Sequence, residues 1–261
     1  MIKIIVTLTA FLISLISLAQ VSENREVANF SKLNVSTGIT VLYTISNSKS
    51  IQVETDSREK LQYIKTEVEG ETLKLYVNTD NDKNTNKKSK KRGWNNGVNF
   101  KILKVIVFGP NLKEIKANSS ADVTIKNTNS STNLNTDVSS SGSISGNFNC
   151  SNLFIDASSS GEFFGKINAT SIDLESSSSS DVNLSGKSTR IAIQASSSSS
   201  CNLENLAVET ATIKANSSAD VTITVSKSLT AKASSSASVD YYGNPSQISK
   251  EESSSGSVTK K

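Results

Sequence analysis

A stretch of nine residues occurs twice in this chain without change. Segments 117–125 and 215–223 both read ANSSADVTI, and fainter copies lie between and beyond them. Each copy contains an apolar anchor residue that follows a pair of serines. The anchors are Val123, Ile144, Phe163, Val182, Cys201, Val221, Val239 and Val258, spaced 18 to 21 residues apart. A period near 20 residues is typical of a stacked solenoid, in which each repeat contacts only its neighbours.

Every copy has serine at the positions three and four residues before its anchor, such as Ser119 and Ser120 in the first copy. The residue two before the anchor is always alanine, glycine or serine. Alternation along one extended strand would put Ser119 on the same face as Ala121 and Val123. We therefore predict that Ser119 and its equivalents stack inside the coil, where only small side chains fit.

The repeat predicts an all-β fold, a single-stranded parallel β-helix with coils of about 19 residues. Eight coils at the strand spacing of about 4.8 Å would enclose a core roughly 40 Å long. An antiparallel sandwich would need turn signals every 8 to 12 residues and strands of independent sequence. Serine, asparagine and β-branched residues are poor in helices, and no run after Leu112 has a 3.6-residue apolar period.

The residues before the repeats are β-rich but less regular. Strands are predicted at 30–35, 39–45, 51–55, 73–77 and 100–108. Asp56 to Glu59 has the form of a capping box, with Asp56 as the N-cap of a short helix that ends near Ile64. Glu69 and Gly70 then turn a hairpin.

The first nineteen residues have the form of a secretory signal peptide, with Lys3 followed by an apolar run. The small residues before Gln20 predict cleavage after Ala19, and no other stretch could span a bilayer. We predict that the mature chain, 20–261, is one soluble β-helix domain in the periplasm, on the outer cell surface or outside the cell. No linker separates its irregular part, 27–110, from its regular serine-rich coils, 111–261.

Much of the basic character lies in one loop, 83–97, in a chain whose net charge is only +4. A like-charged segment rich in asparagine and glycine repels itself, so a solvated loop is one interpretation. The other is an anion-binding arm that meets a glycan, lipid head groups or another surface polymer. Its candidate binding residues are Lys87, Lys88, Lys90, Lys91, Arg92 and Trp94. We expect no nucleic-acid partner, since the exported chain has no RNA- or DNA-binding motif.

The two cysteines are predicted to stay free. Cys201 occupies an anchor position, whereas Cys150 lies six residues after the anchor Ile144, three coils away. At about 4.8 Å per coil their α-carbons exceed the roughly 7 Å that a disulfide can bridge. The chain has no histidine and no Cys/His spacing of a metal site, so neither a metal nor a cofactor is predicted.

Several segments resemble the head GIN domain family of auto-transporter adhesins, exported proteins of Bacteroidetes-type bacteria. They are FSKLNVSTGITV at 30–41, the stretch 61–77 with EGETLKL at 69–75, VIV at 105–107 before PNL, and the serine repeats. The Gly-Ile-Asn motif of the family appears here as Gly38-Ile39-Thr40. The resemblance covers nearly all of the mature chain. It implies a right-handed β-helix and a place in the cell envelope or outside it, and it implies no activity.

No group of residues identifies a reaction. The outward acids that precede the anchors are interrupted by serines, and no bases cluster near them. These acids are Asp122, Glu162, Asp181 and Asp220. Serine hydrolysis lacks a histidine base. We predict a non-enzymatic, adhesin-like module that binds a glycan or other surface polymer, with Trp94, Tyr241 and Tyr242 as stacking residues. A polysaccharide-acting β-helix enzyme is the alternative, and the oligomeric state stays open.

Overall fold

The computed structural model describes residues 21–79 and 98–261. Seventeen strands and one short 3₁₀ helix form this part of the chain. In chain order the elements are β1 (Val21–Arg25), β2 (Lys32–Val35), β3 (Thr40–Ile45), β4 (Ser50–Thr55), the 3₁₀ helix (Arg58–Tyr63), β5 (Ile64–Glu69), β6 (Thr72–Val77), β7 (Leu103–Gly109), β8 (Glu114–Ala117), β9 (Asp122–Val138), β10 (Ser143–Ala157), β11 (Glu162–Ser176), β12 (Asp181–Ala195), β13 (Ser200–Ala215), β14 (Asp220–Ala233), β15 (Ser238–Tyr242), β16 (Gln247–Glu252) and β17 (Ser257–Lys260). The predicted signal peptide and the basic loop 83–97 lie outside the described residues.

The regular part is a parallel β-solenoid, as the repeat predicted. Each of β10 to β14 forms most of one coil and is 14 to 16 residues long. Each pairs in parallel with the strands of the coils before and after it. Phe163 of β11, for example, lies opposite Val182 of β12. Backbone groups of one coil are therefore satisfied by the next coil, which is how a sheet avoids unpaired buried amides.

The predicted anchors form one continuous row inside the solenoid. Each anchor lies opposite the anchor of the next coil, from Val123 to Val258. None of them is more than 4% exposed. The row extends past the repeats, since Val41 pairs with Val123 and Val105 pairs with Val41. The N-terminal strands therefore share the core of the regular coils.

Each coil has two corners. In β11 alternate residues are buried from Phe163 to Ile167 and again from Ile172 to Ser176, whereas residues 168–171 are exposed or half-buried. The chain bends at 168–171 while the ladder to the next coil continues on both sides. We call this corner the bend. The serine pairs form the other corner.

The serine pairs lie at a tight turn, so the prediction that they stack inside is wrong. Both serines of every pair have a positive φ, between 49° and 63°. In the first of these turns the Ala121 N–H donates to the Asn118 carbonyl at 3.1 Å. Two central residues with positive φ are characteristic of a type I′ turn. Because such a turn reverses the chain, the strand alternation behind the prediction stops at Ala117 and begins again at Asp122.

The serine turns stack into a hydrogen-bonded ladder of their own. The Ser120 N–H donates to the Ser140 carbonyl of the next coil at 3.0 Å, and the same bond recurs from turn to turn through the last coil. The small residue after each pair is explained by close packing. A Cβ added to Gly142 would lie 2.4 Å from the Ala117 carbonyl oxygen, so in this coil even alanine would require the backbone to shift. In the other coils the same position holds glycine, alanine or serine and nothing larger.

The N-terminal part continues the same solenoid. β2 and β3 flank a further turn, in which Thr37 and Gly38 have φ values of 60° and 71°, and they pair in parallel with β8 and β9. On their other side, β2 pairs with β6 and β3 pairs with β7, so β2 and β3 lie between two further levels of the sheet. The antiparallel strands β1, β4 and β5 extend the sheet at this end.

The predicted helix is present as the 3₁₀ helix, but its capping box does not form. Ser57 is the N-cap residue, and no side chain caps the helix. Asp56 instead accepts hydrogen bonds from Lys60 Nζ at 2.6 Å and from the Lys101 N–H at 3.2 Å, which link the helix to the segment before β7. The hairpin at Gly70 joins β5 to β6 as predicted.

Two charged residues occupy inward positions at the last level of the described chain. Lys250 and Glu252 of β16 lie opposite Ala231 and Ala233 of β14. Their side chains bind the backbone of Val258: Lys250 Nζ donates to its carbonyl at 2.9 Å, and Glu252 Oε1 accepts its N–H at 2.6 Å. Charged groups thus take the place of apolar ones at this level of the core.

Val182→Asp should lower the free energy of unfolding by about 3 kcal/mol or more, because it buries a carboxylate in the apolar anchor row. The matched control is Asn202→Asp, which adds the same charge at an exposed position directly after the next anchor. Denaturant unfolding followed by circular dichroism measures both variants. An unchanged midpoint for Val182→Asp would contradict the inward row.

Ser179→Val should be about 1–2 kcal/mol less stable than Ser179→Gly, because φ at Ser179 is 59° and a β-branched side chain clashes there. The same pair of substitutions at Ser200, which is exposed at the start of β13, serves as the control. At Ser200 the valine variant should be more stable than the glycine variant, since β-branched residues favour strands. Equal denaturation midpoints for the two Ser179 variants would count against a left-handed turn.

Candidate functional site

A groove of about 900 Å³ runs along the outside of the solenoid at the bend. It crosses six successive strands, from β9 to β14. Its walls come from the residues at the bend of each coil, which are 130–132, 149–151, 168–170, 187–189, 207–209, 224 and 226. An opening that crosses this many coils fits an extended ligand that runs along the solenoid axis.

Three rows of side chains build the groove. The floor is formed by Ser131, Cys150, Ala169, Ser188 and Val208, which lie opposite one another in register. One wall is a row of exposed hydroxyls from Thr132, Ser151, Thr170 and Thr189. The other wall contains an amide ladder, in which Asn168 Nδ2 donates to Asn149 Oδ1 at 2.9 Å. Because the strands are about 4.8 Å apart, the hydroxyl row presents one polar group per coil at that interval, whereas the floor also contains Ala169 and Val208.

A second pocket, of about 550 Å³, continues the groove toward the N-terminal coils. The two openings share Ser130, Ser131 and Thr132. The Ser131 hydroxyl at this junction is buried and has no hydrogen-bond partner among the described residues. The pocket is also the more charged of the two openings. Its charged residues are Lys32, Glu71, Lys113 and Glu114. We call it the N-terminal pocket.

The two acids of the N-terminal pocket already have partners. Glu114 lies 3.6 Å from Lys32 Nζ and 3.5 Å from Lys116 Nζ. Glu71 Oε2 accepts a hydrogen bond from the Ser31 hydroxyl at 3.2 Å. Lys113, by contrast, forms no ion pair with any other described residue. It is therefore the cation that is available to a ligand in this pocket.

The main groove is nearly neutral. Glu209 is its one carboxylate among the described lining residues, and it lies 2.7 Å from Lys227 Nζ. Lys187 is the cation of the groove wall. The other polar groups are serine and threonine hydroxyls and asparagine amides, which both donate and accept hydrogen bonds. Such a surface can bind a polyhydroxylated polymer, but it offers no pair of carboxylates for acid–base chemistry.

Carboxylates form two rows on the outer faces of the coils, and both rows lie outside the groove. The first is the row before the anchors predicted from the sequence, which serines interrupt. The second, from Asp137 through Asp156 to Glu175, was missed. Burial and the neighbouring Asp137 raise the pKa of Asp156. No cluster of potential metal ligands occurs within 21–79 and 98–261.

Both thiols are free. Cys201 lies in the anchor row, whereas Cys150 lies in the groove floor opposite Ala169, so the two occupy different positions around the coil. Burial raises the pKa of each thiol to about 11. Little thiolate is therefore present near neutral pH, and neither cysteine suits a nucleophile.

The six binding residues predicted from the basic loop all lie outside the described residues. The described flanks show where the loop joins the fold. β6 ends at Val77, whose N–H donates to Thr37 Oγ1 at 2.7 Å, so the chain leaves β6 at the corner of the serine turns. The groove lies at the other corner of the coil from this end of β6. Of the predicted stacking residues, Tyr241 is 3% exposed and is unavailable to a ligand.

The sequence analysis did not predict the groove residues, because it compared only the positions close to each anchor. A signal was present, since Ser151, Thr170 and Thr189 each lie seven residues after an anchor. The fold shows that this position lies at the bend, where the hydroxyls of successive coils line the same groove.

A family model described as "Putative auto-transporter adhesin, head GIN domain" matches residues 29–245. The chain belongs to this family. In this head GIN domain the motif Gly38-Ile39-Thr40 completes the first turn. The Gly38 N–H donates to the Ser119 carbonyl at 2.9 Å, and the Ile39 side chain is fully buried. The motif therefore has a structural role at the start of the turn ladder.

Solved structures share the head GIN fold along nearly their whole length. A putative lipid binding protein from Parabacteroides distasonis ATCC 8503 is 21% identical with a TM-score of 0.80, over 93% of this chain and 96% of that chain. A putative adhesin from Parabacteroides merdae ATCC 43184 is 15% identical with a TM-score of 0.77, over 93% and 96%. One from Bacteroides fragilis NCTC 9343 is 20% identical with a TM-score of 0.63, over 93% and 97%.

At these identities the structural likeness shows the fold alone. The family and these structures are described as adhesins or as a lipid binding protein, and not as enzymes. No curated protein matches the chain. Within the described ranges, no helix has the length and apolar character needed to cross a bilayer.

The buried thiols should resist alkylation in the folded protein. Iodoacetamide at pH 8 should label neither cysteine of the native protein appreciably, since both pKa values are raised to about 11. After denaturation without a reductant, mass spectrometry should show both cysteines alkylated. Recovery of a peptide that links Cys150 to Cys201 would overturn the assigned register.

Proposed function

We propose that this head GIN domain is an exported, non-enzymatic binding module of the cell envelope or its exterior, which holds an extended glycan in the groove at the bend. The observation that carries the proposal is the groove itself, in which a row of hydroxyls repeats from coil to coil beside the amide pair of Asn149 and Asn168. Export is supported by the signal-peptide pattern of the first nineteen residues and by the family.

A glycan suits the groove because its hydroxyls can pair with the donors and acceptors of successive coils. One hydrogen bond contributes only about 1 kcal/mol net, so useful affinity needs many of them in series. The stacked rows of Thr132, Ser151, Thr170 and Thr189 supply such a series along one direction. A rigid solenoid also holds these groups in place before binding, which lowers the entropic cost of association.

Two other ligand classes fit the groove less well. An acyl chain would leave the hydroxyls and amides of the groove unpaired, and each buried unpaired group costs about 1–3 kcal/mol. A retaining or inverting glycoside hydrolase uses two carboxylates that flank the scissile bond. Glu209 already pairs with Lys227, and Glu71 and Glu114 of the N-terminal pocket have partners of their own. The geometry therefore favours binding over turnover.

The basic loop adds a second contact in this proposal. Lys87, Lys88, Lys90, Lys91 and Arg92, with Trp94 beside them, would attract an anionic polymer or lipid head groups through long-range electrostatics. Such attraction weakens with salt, because the Debye length is only about 8 Å at physiological ionic strength. Since the loop joins the fold at the corner of the serine turns, its contribution can be removed separately from that of the groove.

Thr170→Trp should reduce glycan binding by about tenfold or more, because a large ring in the middle of the groove wall blocks the path of the polymer. The matched control is Thr212→Trp, which puts the same ring on an exposed position of β13 outside the groove. Both variants and the wild-type mature chain are tested on an oligosaccharide array. A third variant lacks residues 83–92 and is tested at low and high salt.

The outcomes separate the two contacts. Loss of binding by Thr170→Trp alone supports the groove, and a salt-dependent loss on deletion of 83–92 supports the loop. Equal binding by Thr170→Trp and Thr212→Trp would remove the groove from the proposed function. Release of shorter sugars from any bound oligosaccharide would instead place the protein among the polysaccharide-acting enzymes.

A further inference from the structure

The N-terminal pocket differs from the rest of the groove in the hydrogen-bonding groups that it leaves free. Asn111 Oδ1 accepts the Ser130 backbone N–H at 2.7 Å. A backbone N–H needs an acceptor, so this bond determines the orientation of the amide, and the NH₂ group is left as a donor. Asn133 Oδ1 accepts a hydrogen bond from Asn152 Nδ2 at 2.8 Å, but this partner is a side-chain amide and does not determine the orientation as the backbone N–H does at Asn111. The NH₂ group of Asn111 therefore offers N–H donors to a ligand.

Lys113 adds a positive charge beside these donors. Its backbone is held on both sides, since its N–H donates to the Ser31 carbonyl at 2.8 Å and its carbonyl accepts from the Asn135 N–H at 2.9 Å. Its side chain is exposed, and it forms no ion pair with the described residues. The nearby acids, Glu71 and Glu114, are already engaged by other groups. A free cation with free amide donors matches a ligand group that is both anionic and rich in acceptors.

We propose that the N-terminal pocket binds the carboxylate of an acidic sugar residue, so that the groove takes an acidic polysaccharide rather than a neutral one. The proposal rests on the proposed function, because it names the class of glycan that occupies the groove. A carboxylate accepts two or more hydrogen bonds at once, and bonds from an ammonium group are charge-assisted and short. Lys113 and Asn111 would hold this carboxylate, while the hydroxyl rows would hold the sugars that follow it.

The test uses pairs of oligosaccharides that differ only in charge. Uronate-containing oligosaccharides of several linkages are arrayed beside their carboxyl-reduced, neutral forms, together with sulfated oligosaccharides of the same length. The wild-type mature chain should bind the uronate member of a pair about fivefold or more tightly than its neutral form. This preference should shrink as salt is raised.

Two variants test the residues that hold the carboxylate. Lys113→Ala should bring the uronate and neutral forms to within about twofold of each other. Asn111→Asp keeps an oxygen for the Ser130 N–H but replaces the NH₂ donor by a negative charge, so it should remove the preference while leaving the melting temperature unchanged. Lys126→Ala is the control, because Lys126 is exposed on the same coil and does not line the pocket. It should retain the preference of the wild type.

Failure of this inference can be told apart from failure of the proposed function. Suppose that the wild type binds uronate and neutral forms equally, while Thr170→Trp still abolishes binding. Glycan binding in the groove is then supported, and carboxylate binding in the N-terminal pocket is wrong. A preference that survives in Lys113→Ala, or one for sulfated forms alone, also overturns the pocket. If no oligosaccharide binds at all, the proposed function itself fails.

Discussion

Hydrogen bonds that join each coil to the next in register hold the rest of the structure in place. A coil of about 19 residues cannot bury its own apolar face, and its backbone groups find partners only above and below. The anchors repeat at unequal intervals, yet they stay opposite one another. The extra residues are absorbed by irregularities in the ladder between the anchor and the bend, as at Asn183 and Gly186. The anchors and the serine turns therefore stay aligned.

The same ladder creates a problem at the two ends, because a stack of parallel strands leaves an open edge and an open core. At the N-terminal end, the guanidinium of Arg25 in β1 donates hydrogen bonds to the backbone carbonyls of Leu61 and Ile64. These bonds link β1 to the 3₁₀ helix and to the first residue of β5. At the other end of the described chain, Lys250 and Glu252 turn charged groups inward over the core. The charged groups disfavour further stacking at both ends of the described chain, while Ile248 on the same face of β16 stays apolar and 48% exposed.

Stacking also explains where binding can occur. Inside the coil, every position is constrained by the coils on either side, so the anchor row tolerates only apolar residues of suitable size. At the bend, the side chains of the hydroxyl row face outward and their identity is free to vary, yet the ladder still holds them at a constant spacing. A row such as Ser151, Thr170 and Thr189 is therefore positioned by the fold without contributing to its core. Binding groups placed there are rigid at no cost to the stability of the core.

The all-β class, the parallel stacking and the anchor row follow from sequence patterns alone. Each of these depends on a pattern that recurs at a fixed interval, and one motif repeated in register allows little else. The resemblance to the head GIN domain could also be recognised from the sequence, since its motif and its repeats are short, continuous segments. The short helix was found, but the role of Asp56 was not, because its partner Lys101 lies far along the chain.

The direction in which the serines face, by contrast, becomes clear only from the folded chain. The alternation of apolar and polar residues does not distinguish a left-handed turn from a strand that continues. Serine is also not one of the residue types that are enriched at positive φ, as asparagine and aspartate are. The structure also decided that β6 and β7 stack outside β2 and β3, and that residues 19 apart meet in one groove. These features arise from contacts between distant parts of the chain. A sequence pattern specifies the period of the coil, whereas the corners of the coil and the surfaces between them appear only when the coils are stacked.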